Sequence, residues 1–156
     1  MSVLSIRQLP DDSVLRQKAK RVSILDASIQ RLIDDMIETM QQAKGIGLAA
    51  PQIGVSLQII VVQMPDEEPV AIINPEIVKR EGEMEVTEGC LSVPGYCGEI
   101  KRPEKIVVKG KDRYGKQFRI KAFGLLAEAL EHEIDHLNGR LYIDHIENPE
   151  MLHKTE

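Results

Sequence analysis

The sequence predicts an α+β fold: mostly antiparallel β-strands packed around a C-terminal helix carrying HEIDH, with an amphipathic helix towards the N-terminus. Three observations predict it. Apolar residues recur at three- and four-residue steps between 26 and 45, short β-type runs fill 57 to about 122, and helical spacing returns between 123 and 139. No repeat or low-complexity linker interrupts the 156 residues, so a single domain over 1–156 is expected.

The first helix is read from "DASIQRLIDDMIETMQQAKG". Ile29, Leu32, Ile33, Met36, Ile37 and Met40 form one apolar stripe, Asp26 is the predicted N-cap and Gly45 the predicted stop. "GIGLAAPQIG" (45–54) follows, and its Gly45, Gly47 and Pro51 predict a loop whose bare backbone lets another chain come close. The β-type runs are "LQIIVVQM", "VAIINPEIV", "EMEVTEGCLSV", "EKIVVKGKD" and "QFRIKAF", the last two flanking "RYGK" as a hairpin turn. The final helix is "FGLLAEALEHEIDHLNG", with Gly139 as its C-cap signal.

Composition narrows the function. A 42% hydrophobic, 29% charged chain without a long apolar run or a signal-peptide layout reads as a globular protein of the cytoplasm, with no membrane partner. A net charge of −5 argues against non-specific nucleic-acid binding and gives no sign of sequence-specific recognition; an RNA-rich partner has to be met through a local patch. Cys90 and Cys97 are too few for a disulfide framework and lack CxxC spacing, which leaves free thiols or metal ligands.

The chemistry concentrates in the last helix. On a helical wheel Glu128, Glu131, Asp135 and Asn138 share a stripe assigned to solvent, and Leu126, Leu130, Ile134 and Leu137 a stripe assigned to the core. Leu125, Ala129, His132 and His136 lie on a third arc, with Glu133 at its border. A lone helical histidine is more often structural than a ligand. Two at i, i+4 avoiding the solvent stripe point both imidazoles at one ion. A third ligand is needed. The position that carries a third histidine in one peptidase class is Tyr142, and Glu147, Glu150, His145 and His153 read as solvated tail residues. Cys90 in "TEGCLSVPG" is the stronger candidate, because a thiolate suits a borderline-soft divalent metal and Gly89 permits close approach; the alternative is a small buried hydrophobe.

Three segments together resemble one family, the peptide deformylases: "GIGLAAPQ" (Gly45 to Gln52), "EGCLS" (Glu88 to Ser92) and "HEIDH" (His132 to His136). The stretches "LPDDSVLRQKA" and "VPGY…KRPEKIVV" are similar to the family as well, so the resemblance covers nearly the whole chain. It implies a metal held by Cys90, His132 and His136 with water in the fourth position, Glu133 as general base, and Gln52 with the Leu91 backbone N–H as donors to the developing oxyanion. It implies one divalent ion per chain, Fe(II) in the cell, with nickel, cobalt or zinc as alternatives in purified protein. The reaction implied is removal of the formyl group from the N-terminal formylmethionine of new polypeptides, with formate released.

Under that resemblance Ile46, Leu125 and Ala129 are expected to wall the methionine pocket, and Gly47 and Gly89 to lie against the peptide. Two departures stand out. Glu131 replaces a common Gln, and the chain stops soon after "IENPEMLHKTE", where some relatives carry a longer helix linked to ribosome docking; contact with the ribosome is expected at most as transient. Two rivals remain open here. A peptidase acting on internal bonds would need another downstream ligand, and a structural metal site would need a fourth, for which Cys97 is the only one within reach.

Overall fold

The computed structural model describes residues 2–8, 13–146 and 152–154. Asp26 caps the first helix, α1 (Ala27–Gln42), by accepting the Ile29 backbone N–H at 3.1 Å. The helix stops one residue earlier than glycine punctuation suggests. Ala43 is the C-cap and Lys44, not Gly45, takes the left-handed conformation at φ 58°.

The stretch expected to be a loop is more ordered than that. Gly47–Ala49 form a short strand, β1, and Ala50–Ile53 a single 3-10 turn closed by Gly54 at φ 86°. Strands β2 (Ile59–Val62), β3 (Val70–Glu81), β6 (Lys105–Lys111) and β7 (Gln117–Phe123) complete a five-stranded sheet in the order β1-β2-β3-β6-β7, antiparallel throughout. A second sheet holds β4 (Met84–Cys90), β5 (Val93–Arg102) and β8 (Leu152–Lys154) in the order β4-β5-β8. Strands β5 and β8 were not legible in the sequence, and the expected single sheet is two.

Two helices share the larger sheet. All four residues of β2 are buried, because Ile59 and Val61 face α1 (with Ile33, Met36 and Met40) while Ile60 and Val62 face the last helix, α2 (Gly124–Leu137). Each such aliphatic side chain contributes about 1.5–3 kcal/mol when fully buried. Helix α2 lies on the inner face of β6 and β7 through Leu130, Ile134 and Leu137 against Ile106, Val108 and Ala122. It ends in a Schellman turn: the Gly139 N–H donates to His136 O (3.1 Å), the Arg140 N–H to Asp135 O (2.9 Å), and Gly139 sits at φ 73°.

The solvent stripe expected on α2 is wrong at two positions. Glu131 is 4% exposed and Asp135 8% exposed, whereas Asn138 is exposed and Glu128 half-buried. Each buried carboxylate has a cation: Arg80 Nε meets Glu131 at 2.7 Å, and Arg102 Nη1 meets Asp135 at 2.7 Å. The extra negative charge of Glu131 is therefore neutralised from β3. Of the tail residues, His145 bonds Asp135 at 2.7 Å and His153 lies on β8, 3.7 Å from the Glu99 carboxylate. Glu147 and Glu150 lie outside the described residues.

Candidate metal centre and active site

Strand β1 is one edge of the larger sheet and β4 one edge of the smaller; α2 packs beneath β1 and reaches β4 through His132 on Glu88 and His136 beside Cys90. The cleft between them has a volume of about 420 Å³ and is lined by Ile46, Gly47 and Gln52 from the first segment, Glu88 to Leu91 from the second, and Ala129, His132 and Glu133 from α2. Three distant stretches of chain thus meet in one place. Leu125 does not line this cleft and is 47% exposed; Lys44, Thr87 and Glu128 line it instead.

Cys90, His132 and His136 bring their ligand atoms within 4.8 Å of one another. Cys90 Sγ lies 3.4 Å from His136 Nε2, and the two Nε2 atoms are 3.3 Å apart. The His132 Nδ1–H donates to Glu88 Oε1 at 2.6 Å, which turns the Nε2 lone pair towards the other two donors. Two imidazole lone pairs and a sulfur pointed at a common centre repel one another without a cation, so the donor set fits a divalent metal, and thiolate plus imidazole suits iron, nickel, cobalt or zinc. Among the described residues this group contains no fourth side chain, and Cys97 is not part of it. Tyr142, where a peptidase would place another ligand, is buried and stacks on the His132 ring at 6.4 Å between centroids.

The candidate ligands are held by a buried chain of charges. Glu88 accepts two bonds from Arg102 (2.8 and 2.9 Å), whose remaining amino group meets Asp135, which in turn is bonded by His145. Burial pushes the Glu88 and Asp135 carboxyls up, but the Arg102 guanidinium and the paired histidines outweigh it and hold each at about 2. Sequence reasoning assigned no role to Glu88 and missed Arg102, Asp135 and His145. Alternation along β5 places Arg102 on the same face as buried Ile100, a pattern that shows only once β5 is seen to be a strand.

Glu133 has a different environment. It is buried, its Oε1 has no hydrogen-bond partner, and burial pushes its carboxyl up to about 7 despite the opposing charge of His132. Gly47 makes room for it: a Cβ at that position would lie 2.5 Å from Glu133 Oε2. Gln52 is buried and fixed in orientation, since the Ala49 N–H donates to its Oε1 at 3.0 Å while its Nε2 points to Ser92 Oγ (3.3 Å) and Cys90 Sγ (3.6 Å). The amide nitrogen is thus held on the Cys90 side of the cleft that Gln52 lines. Glu128, half-buried beside Glu88, is pushed up to about 7 by burial and by that neighbour's charge.

Comparison with known proteins gives consistent results. Residues 3–151 match the family model described as polypeptide deformylase. The chain is 57% identical over 155 residues to a peptide deformylase of Dehalococcoides mccartyi (99% of this chain, 92% of that one). Among solved structures it superposes on a peptide deformylase from Legionella pneumophila with a TM-score of 0.91 at 51% identity, covering 96% of this chain and 89% of that one. A peptide deformylase from Synechococcus elongatus in complex with actinonin gives a TM-score of 0.91 at 44% identity, covering 95% and 81%.

Proposed function

The chain belongs to the polypeptide deformylase family, and from that premise we propose how its residues carry out metal-dependent removal of the N-formyl group from formylmethionyl peptides. The observation that carries the proposal is the meeting of Cys90, His132, His136, Glu133 and Gln52 in one cleft bounded by two strand edges. Cys90, His132 and His136 hold the ion. When bound, a divalent metal supplies Lewis acidity that makes water acidic near neutral pH.

Glu133 moves the protons. A buried carboxyl whose Oε1 has no hydrogen-bond partner can take a proton from the attacking water and give it to the departing amine, which must leave protonated. Gln52 Nε2, held by the Ala49 contact, donates to the formyl oxygen as negative charge develops there, and the Leu91 N–H is assigned as the second donor. The free edge of β1 at Ile46 and Gly47 receives the peptide main chain as an added strand, with Gly89 opposite on β4. Ile46 and Ala129 wall the methionine pocket; Leu125 lies outside the cleft and has no part in it.

Fe(II) is the proposed cellular metal, with nickel, cobalt or zinc able to occupy the same donors. No helix among the described residues is long and apolar enough to cross a membrane, and the proposed setting is the cytoplasm, where new chains carrying formylmethionine meet the enzyme during transient contact with the ribosome. Substitution Glu133→Gln tests the proton assignment: metal content is expected to stay at the wild-type level while turnover falls by about 10²–10⁴-fold. Near wild-type turnover across pH 5–9 would remove Glu133 from this role.

A further inference from the structure

The outer face of the larger sheet is charged unlike the rest of the molecule. Residues pointing away from α2 on β6 are Lys105, Val107, Lys109 and Lys111, and their neighbours on β7 are Phe123, Lys121, Arg119 and Gln117. Helix α1 packs on β1, β2 and the start of β3 and touches the β6–β7 turn through Gln30 and Asp34 on Arg113, and beyond it Lys105, Lys109, Arg119 and Lys121 stand exposed. The face's two carboxylates engage two of its cations: Glu76 lies 3.5 Å from Lys109, and Glu81 lies 2.8 Å from Lys79. Lys111, Arg119, Lys121 and, at the border, Arg21 have no carboxylate within ion-pair distance among the described residues. A concentration of unpaired cations stands on one face of a chain whose net charge is −5.

Two further features narrow the partner. Phe123 is 59% exposed on this face with Lys105 Nζ 5.5 Å from its ring centre, and a groove of about 420 Å³ runs between Arg21, Lys109, Lys111 and Arg119. Rows of cations spaced by a strand's two-residue repeat, beside one exposed ring, are what a single-stranded nucleic acid needs: phosphate neutralisation together with a surface on which a base can stack. A lipid surface would call for a broader apolar contact than Phe123 and Val107 offer. An acidic protein would be met by the cations alone, whereas the exposed Phe123 ring adds a surface on which a base can stack.

We propose that the outer face of β3, β6 and β7 docks RNA through its phosphate backbone, without sequence specificity. The choice of RNA rests in addition on the reading above, in which the substrate is a new polypeptide met at the ribosome. The geometry is compatible with work on that substrate, because the cleft lies at the β1 end of the sheet order and the basic face at the β7 end. Docking there leaves the cleft open.

The test uses the full chain, metal-loaded, and a short fluorescein-labelled single-stranded RNA. Binding is expected with a Kd of about 10⁻⁴–10⁻⁶ M, weakening as salt rises with a log–log slope of about 0.7 per phosphate engaged. Arg119→Glu with Lys121→Glu, and separately the neutral pair Arg119→Gln with Lys121→Gln, should weaken binding by about tenfold or more and flatten that slope, leaving kcat/KM on a formylmethionyl peptide unchanged. Lys101→Glu with Lys154→Glu, the same charge change on the smaller sheet, should leave RNA affinity within about twofold. Absence of RNA binding, equal loss in the control pair, or tighter binding to phosphatidylserine vesicles or polyglutamate than to RNA would overturn the proposal. The peptide assay stands apart from these arms, so a failure of the deformylase reading would show there alone.

Discussion

Replacing Arg102 with leucine removes the cation shared by two buried carboxylates. The Arg102 side chain is 1% exposed and makes two bonds to Glu88 and one to Asp135. Breaking one buried pair by removing a partner costs about 3–5 kcal/mol, and a guanidinium shared between two carboxylates places this variant at the upper end. With a urea m-value of about 2 kcal/mol/M the midpoint should fall by about 2.5 M. In the wild type the Glu88 carboxyl is held at about 2, below its ordinary 4.5, so its contribution of about 3 kcal/mol is present above pH 4.5 and lost as pH falls towards 2. Without Arg102, burial raises both carboxyls instead, and the variant is relieved as they take up protons. The stability gap should therefore be widest at pH 7 and narrow towards pH 4. Glu88 also orients His132, so metal affinity measured by chelator competition should fall about 10–100-fold. Urea unfolding of metal-free and metal-loaded protein at pH 7 and pH 4 checks the argument. A deficit under about 1 kcal/mol, or one that does not change with pH, would refute the shared-cation account.

Three other outcomes follow from the same geometry. Gln52→Ala should lower kcat by about 10²–10³-fold with metal content unchanged, since the amide is fixed in orientation beside Cys90 and is not one of the three clustered donors; loss of metal together with activity would contradict this. Gly47→Ala should reduce turnover on formylmethionyl peptides by displacing Glu133, whose Oε2 would otherwise lie 2.5 Å from the new methyl carbon, and a wild-type rate would show that the carboxylate has room to move. Iron-loaded protein should lose activity in air within the time that nickel-loaded protein keeps it, because iron and the Cys90 thiolate are both open to oxidation; equal decay, or normal metal binding by Cys90→Ser, would argue against Cys90 as a ligand.

Much of this site was legible because its chemistry is local in sequence. The i, i+4 histidines, the glycines flanking Ile46 and the cysteine after Gly89 each carry a short-range pattern, and both helices follow from apolar spacing and caps. What stayed hidden depends on partners far along the chain. Glu131 and Asp135 look like solvated charges on a helical wheel, and Arg80 and Arg102, 51 and 33 residues away, together with His145 on Asp135, make their burial tolerable. Strand β5 was masked by Pro94, Gly95 and Gly98, residues typical of turns; Gly98 pairs with Glu88 of β4, while Pro94 and Gly95 fall at the register irregularity where β4 meets β5. The three residues of β1 are too few for any period to show, yet their place at a sheet edge is what opens the cleft to a peptide.

Formate release from a formylmethionyl peptide, measured against metal content across a series of partly loaded samples, tests the central claim most directly. The account predicts that the rate rises in proportion to bound metal, saturates at one ion per chain, and is abolished by chelation. Turnover that persists in metal-free protein, or a fully loaded protein that releases no formate, would contradict it.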